Sequence, residues 1–190
     1  MYKPTALPMQ LLPCAIMLVM ALISFVADAP GPKPPAIRVR PQTVESMNRE
    51  IAHDRLLQQY SEAQDAAARV YEAHGCDPQW AEATARAAVD YHVPSRLLSA
   101  LVFVESSCNP DAVSKRGAIG LTQVNPQVWH YSSDDLHDPE TNLRAGTRIL
   151  ASYIQQSGLR EGLHRYNGLG DPSNTYSNRV LLVAGYRRQE

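Results

Sequence analysis

Apolar and polar positions divide the chain into stretches of different character. Leu11 to Ala27 is an apolar run without a charge, LLPCAIMLVMALISFVA. Residues 30–41, PGPKPPAIRVRP, are rich in proline and read as an extended tether. From Thr43 to about His74, Met47, Ile51, Leu56, Tyr60, Ala63, Ala67 and Val70 recur at helical spacing, and Gly75 supplies a stop. Asp77-Pro78 opens a helix to about Tyr91. Pro94 opens another, which ends near Cys108 because Asn109-Pro110 cannot continue it. A glycine-containing stretch, Ser114 to Gly120, follows. Asp138-Pro139 starts a helix to about Gln156, and shorter helices are expected over Leu159–Arg165 and Asn174–Tyr186. No segment alternates like a strand, so the expected fold is mainly α, with little sheet.

Four parts follow from this pattern. Residues 1–29 are a signal peptide or a membrane anchor. The apolar run is long for a signal and slightly short for a span. Ala27-Asp28-Ala29 resembles a cleavage site, whereas Pro30 would oppose the cut. Residues 30–41 are a linker and 42–75 a helical segment, for which packing on the domain, self-association and a free stalk are all open. Residues 76–190 form a single compact helical domain.

The 190 residues suit one such domain plus accessory segments, and the net charge of -1 gives no reason to expect a nucleic-acid partner. Cys14 lies in the apolar run. Cys76 and Cys108 lie in the remainder, where they form either a disulfide or two separate buried thiols.

The helix from Pro94 carries the first chemical signal. Leu98, Leu101, Val102 and Glu105 stand at i, i+3, i+4 and i+7, so Glu105 shares a face with three apolar side chains. A carboxylate drawn into such a face stays protonated to higher pH and can then act as a general acid. No HExxH, zinc-spaced cysteine pair, G-x-S-x-G elbow or phosphate-binding glycine loop occurs, so neither metal nor cofactor is expected.

Residues 105–126, ESSCNPDAVSKRGAIGLTQVNP, extend that signal. Glu105, Ser106 and Pro110, then Ser114, Gly117, Ala118, Gly120, Leu121, Gln123, Val124 and Pro126, resemble the core of the lytic transglycosylases of the soluble-lysozyme-like type. Asn142 to Gly146, Tyr166-Asn167-Gly168, and Tyr176 with Val180 resemble that family's later motifs, so the likeness covers about residues 76–187. Thr122 and Asn125 depart from it, since methionine is frequent at both, and these positions are expected to flank the groove.

The resemblance implies an α+β lysozyme-like domain crossed by a substrate groove. It implies peptidoglycan glycan strands as substrate and cleavage of the MurNAc–GlcNAc β-1,4 bond to 1,6-anhydroMurNAc ends, with Glu105 as the single acid. Ser114, Gln123, Tyr166, Asn167 and Gly120 are the implied substrate-binding residues, with Ser114 and Gln123 also expected to orient Glu105. Ordinary glycosidases use two carboxylates, but no second one stands in an equivalent pattern; Asp134 and Asp135 read as a polar loop. A lysozyme-type hydrolase and a non-catalytic glycan-binding scaffold are the alternatives. Such a substrate puts residues 30–190 in the periplasm, free or tethered to the inner membrane, with secretion, conjugation or pilus components as candidate partners.

Overall fold

The computed structural model describes residues 43–168 and 173–186. The expected signal or anchor (1–29), the linker (30–41) and Cys14 lie outside the described residues. No helix among the described residues is long and apolar enough to cross a membrane.

Helix α1, Val44–Ala73, starts at Thr43, whose Oγ1 accepts from the Ser46 amide at 3.2 Å. A 3-10 turn, Pro78–Trp80, is capped by Asp77 and leads into α2, Ala81–Asp90. These replace the single helix expected from Asp77 to Tyr91. Helix α3 spans Ser95–Ser106. Two short helices follow, α4 (Pro126–Trp129) and α5 (Ser133–His137). The sequence pattern predicts neither, because four and five residues are too few to set up a helical period. Asp134 and Asp135 therefore sit in the first turn of a helix rather than in a loop. Helix α6, Pro139–Ser157, is capped by Asp138; α7 covers Leu159–Tyr166 and α8 Thr175–Val183. Extended pairing among the described residues is limited to two isolated bridges, Val113 with Ile119 and Ile119 with Val124.

Helix α3 is the centre of the unit that begins at Thr43. Leu97, Leu98, Ser99, Ala100, Leu101 and Val102 have no exposed surface. A helix apolar all round must be surrounded, and α1, α2 and α8 pack against it. The second half of α1 joins this core through Ala67 and Tyr71, and Tyr71 bonds the buried Thr84 hydroxyl at 2.7 Å. Thr43 onward forms one compact unit that includes α1, so packing on the domain describes this half of α1. The first half leaves Val44, Met47 and Ile51 exposed.

Cys76, after α1, is joined to Cys108, after α3, across 32 residues with Cα atoms 5.9 Å apart. Past α3 the chain turns sharply, with Ser107 and Cys108 at φ 51° and 65°. Two successive non-glycine residues in the left-handed region are uncommon, and the disulfide fixes the second of them.

A smaller cluster of Ile119, Val124, Leu136, Ala145 and Ile149 lies under the segment between α3 and α4. Asn142, fully buried on α6, holds this segment. Its Nδ2 donates to the carbonyls of Ile119 (2.8 Å) and Leu136 (3.0 Å), and its Oδ1 accepts from the Thr122 amide (2.8 Å) and hydroxyl (2.7 Å). Asn142→Ala leaves these buried groups without partners. We expect it to cost about 3 kcal/mol or more in urea denaturation; a change below about 0.5 kcal/mol would show that water replaces the amide.

Candidate active site

Glu105 stands one residue before the end of α3, at the point where the central helix leaves the core. Leu98, Leu101 and Val102 on its face are fully buried. Burial pushes the Glu105 carboxyl up to about 7, and a hydrogen bond from Tyr176 opposes the rise. Tyr176, on α8, donates its hydroxyl to Glu105 Oε1 at 2.5 Å. No charged neighbour contributes to this shift. The group is therefore an acid close to its midpoint at neutral pH, able both to release and to recover a proton.

The next residue turns the motif into structure. Ser106 Oγ donates to Val102 O within α3 and to Leu121 O at 2.9 Å, tying the end of α3 to the loop. Tyr166, at the end of α7, donates to the neighbouring carbonyl, Thr122 O, at 2.8 Å. The pair Leu121–Thr122 is thus held from three helices, by Ser106, Asn142 and Tyr166. Helix α6 passes close because residue 146 is glycine: a Cβ there would lie 2.3 Å from Thr122 Oγ1 and 2.8 Å from the Tyr166 hydroxyl. The Tyr166 hydroxyl is raised well above its ordinary value, first by burial and then by the negative charge of Glu105. Glu105, Tyr166 and Tyr176 therefore form one electrostatic cluster.

The other sequence-predicted residues serve the loop. Ser114 Oγ accepts from the amides of Arg116 and Ala118, closing the turn before Gly117. Gly120 adopts φ 77°, and a Cβ would sit 2.3 Å from Asn142 Nδ2, so only glycine fits there. Gln123 donates its Nε2 to the carbonyls of Ala112 and Gly120, both at 3.0 Å, which leaves Oε1 as its free acceptor. Asn167 caps the end of α7 and is exposed. The hydrogen bonds of Ser114 and Gln123 go to the loop, and the one to the Glu105 carboxyl comes from Tyr176. Thr122 does not flank a groove, because it is fully buried against Asn142. Asn125 caps α4 and donates to Arg116 O.

The sequence motif includes Tyr176 but gives no sign of its partner, which lies 71 residues away. The spacing of Tyr176 and Val180 on one helix face was the available signal, since Val180 is fully buried.

A helical domain that presents a near-neutral carboxylic acid beside two partly buried tyrosines is equipped for acid–base chemistry. The transglycosylase SLT domain family matches residues 82–186, more than half of the chain, and the chain belongs to that family. It is 35% identical over 97 residues to the endo-type membrane-bound lytic murein transglycosylase A of Cronobacter sakazakii, covering 45% of this chain and 47% of the relative. It is 36% identical over 89 residues to the membrane-bound lytic murein transglycosylase E of Buchnera aphidicola, covering 40% of each. Among solved structures, the 70 kDa soluble lytic transglycosylase of Escherichia coli matches 67% of this chain and 24% of its own length, at 23% identity and a TM-score of 0.41. The matches thus span less than half the length of these curated relatives.

The burial of Glu105 has a measurable consequence for stability. Below an unfolded value near 4.5 both states hold the proton, and the group contributes nothing to pH dependence. Between there and about 7 the unfolded state ionises first, so stability falls as pH rises, and above that window the loss is complete. Glu105→Gln keeps the acceptor for Tyr176 and removes the charge. It should stabilise the protein by roughly 2 kcal/mol at pH 8 and by nearly nothing at pH 4. Thermal melts at the two pH values check this, and equal shifts at both would contradict a buried acid.

Proposed function

We propose that this protein is a peptidoglycan lytic transglycosylase that uses Glu105 as its only catalytic carboxyl group. The observation that carries the reading is a family-motif glutamate, raised to about 7 by burial and touched by one phenol. The names of the relatives, lytic murein transglycosylases, support the same substrate.

In this reading Glu105 gives its proton to the oxygen of the β-1,4 bond after MurNAc. The C1–O bond breaks and GlcNAc leaves with a 4-hydroxyl. The substrate's own acetamido oxygen stabilises C1, which removes the need for a second protein carboxylate. The Glu105 carboxylate then takes the proton from the MurNAc C6 hydroxyl. O6 attacks C1, the 1,6-anhydro ring closes, and the carboxylic acid is restored. An internal nucleophile of this kind benefits from a high effective concentration. Gln123 Oε1 is a suitable acceptor for an acetamido N–H, and Tyr166 holds the loop that carries it. Roles for Ser114, Gly120 and Asn167 in binding sugar belong to the same proposal.

Peptidoglycan lies outside the cytoplasmic membrane, so the proposed site of action is the periplasm. The Cys76–Cys108 bond suits that oxidising compartment. Local wall opening for an envelope machine belongs to the same proposal.

Mass spectrometry of products formed from peptidoglycan by the full chain, beside Glu105→Gln, tests the reaction. Ends one water lighter than reducing ends, absent with the variant, are expected. Reducing ends alone would make the enzyme a lysozyme-type hydrolase, and no products would favour a glycan-binding scaffold. The proton donor must be protonated, so kcat/KM should fall as pH rises through about 7. Tyr176→Phe removes the contact that lowers this value; the alkaline limb should move to higher pH while kcat drops about tenfold or more. A pH–rate profile reads both effects, and an unmoved limb would mean that Tyr176 only packs.

A further inference from the structure

The first half of α1 stands out from the core as an arm. Tyr60, whose hydroxyl donates to Asp90 at 2.9 Å, marks where the helix joins the rest of its unit. Before it, residues 43–59 are exposed apart from Ser46. The helical part of that stretch is about 24 Å long. Eight large hydrophobic residues are exposed among the described residues, and five of them, Val44, Met47, Ile51, Leu56 and Leu57, lie on this arm. Helices in proteins draw most of their stability from a packed face. The buried Ala67 and Tyr71 fix the second half of α1. The arm is therefore held in register for a partner, and pairing costs it little further ordering.

The pattern on the arm selects the partner. Val44, Met47, Ile51 and Asp54 follow the alternating three- and four-residue spacing of a coiled-coil seam, and Asp54 with Gln58 ends its apolar part. At about 100° per residue this seam lies on the side of α1 opposite Ala67 and Tyr71, so a second helix can lie along it without meeting the core. The β-branched Val44 and Ile51 take the seam position that favours two parallel strands. In that arrangement Glu50 and Arg55 hold the flanking positions five residues apart, where the acid of one copy faces the base of the other. An antiparallel pair would set Glu50 against Glu50 and Val44 against Asp54. The three acids of the arm, Glu45, Glu50 and Asp54, outnumber its two arginines, Arg49 and Arg55, so an anionic lipid surface does not attract it.

We propose that the α1 arm pairs in parallel with the same arm of a second copy, along Val44, Met47 and Ile51, with Glu50 of each copy facing Arg55 of the other. Both helices then start at the same end of the pair. The seam takes no part in bond cleavage, so the pairing is independent of the reaction assigned to Glu105.

The test uses the full chain in density-matched detergent. Cys76 and Cys108 are already bonded to each other, so Cys14→Ser leaves an added cysteine as the free thiol. Under mild oxidation Val44→Cys and Ile51→Cys should each cross-link one copy to another, whereas His53→Cys, on the far side of the arm, should not. An antiparallel pair would hold the two residues 44 about 15 Å apart, so cross-linking at 51 without cross-linking at 44 overturns the proposed orientation. Sedimentation equilibrium reads the strength of pairing. Glu50→Lys alone or Arg55→Glu alone should weaken association about tenfold. An equimolar mixture of the two variants should restore it through mixed pairs, a recovery that an unfolded arm would not show. Protein that stays monomeric overturns the proposal, as do cross-links at His53 equal to those at Ile51. Association indifferent to both charge reversals would belong to residues 1–42 and overturns it too.

Discussion

The irregular segment between α3 and α4 depends on one buried side chain. Residues 109–125 include only two isolated bridges, too few to fix a backbone by themselves. Asn142 closes the segment by satisfying two carbonyls, an amide and a hydroxyl inside the protein, where an unpaired group is costly. The glycines follow from this choice. Gly120 leaves room for the Asn142 amide, and Gly146 lets α6 approach Thr122 closely enough for the bonds to form. Ser106 and Tyr166 then bind the carbonyls of Leu121 and Thr122. The motif residues around Glu105 thus serve to hold a loop.

Glu105 itself is a compromise between two opposing influences. Burial at the end of the core helix raises its carboxyl, and the Tyr176 hydroxyl pulls it down. A carboxylate with no donor would rise further and would be free to rotate. A carboxylate with several donors would fall towards its ordinary range and lose its value as an acid. One phenol satisfies one oxygen and leaves the other for a ligand. The disulfide supports this arrangement from below, because it anchors the left-handed turn directly after the acid.

What the sequence made legible has a physical pattern. The long helices could be read because caps and prolines mark their starts: Thr43, Asp77-Pro78 and Asp138-Pro139 all lie at or beside observed helix ends. Glu105 could be read because the 3.6-residue period places it over Leu98, Leu101 and Val102. The short helices α4 and α5 could not, since their stability comes from contacts with the rest of the chain. The partner of Glu105 could not either. Tyr176 is 71 residues away, and no local rule relates it to α3. Thr122 illustrates the reverse error. The resemblance places it at the flank of a groove, but here it is fully buried and bonded to Asn142.

The single carboxylate of the proposed mechanism fits the same balance. A second acid a few ångströms from Glu105 would act on it as a like charge and raise it further. Burial has already brought the group to about 7. Any additional rise would leave the recovered carboxylate too readily protonated, and ionisation of the pair would have to be shared. Glycosidases that use two acids keep one of them ionised in a polar setting. The end of an apolar helix offers no such setting, and among the described residues Tyr176 is the side chain that bonds the Glu105 carboxyl. A site built on this helix can run acid–base chemistry only if the second chemical role comes from elsewhere. In the proposed reaction the substrate supplies it twice, through the acetamido oxygen that steadies C1 and through the hydroxyl that closes the ring.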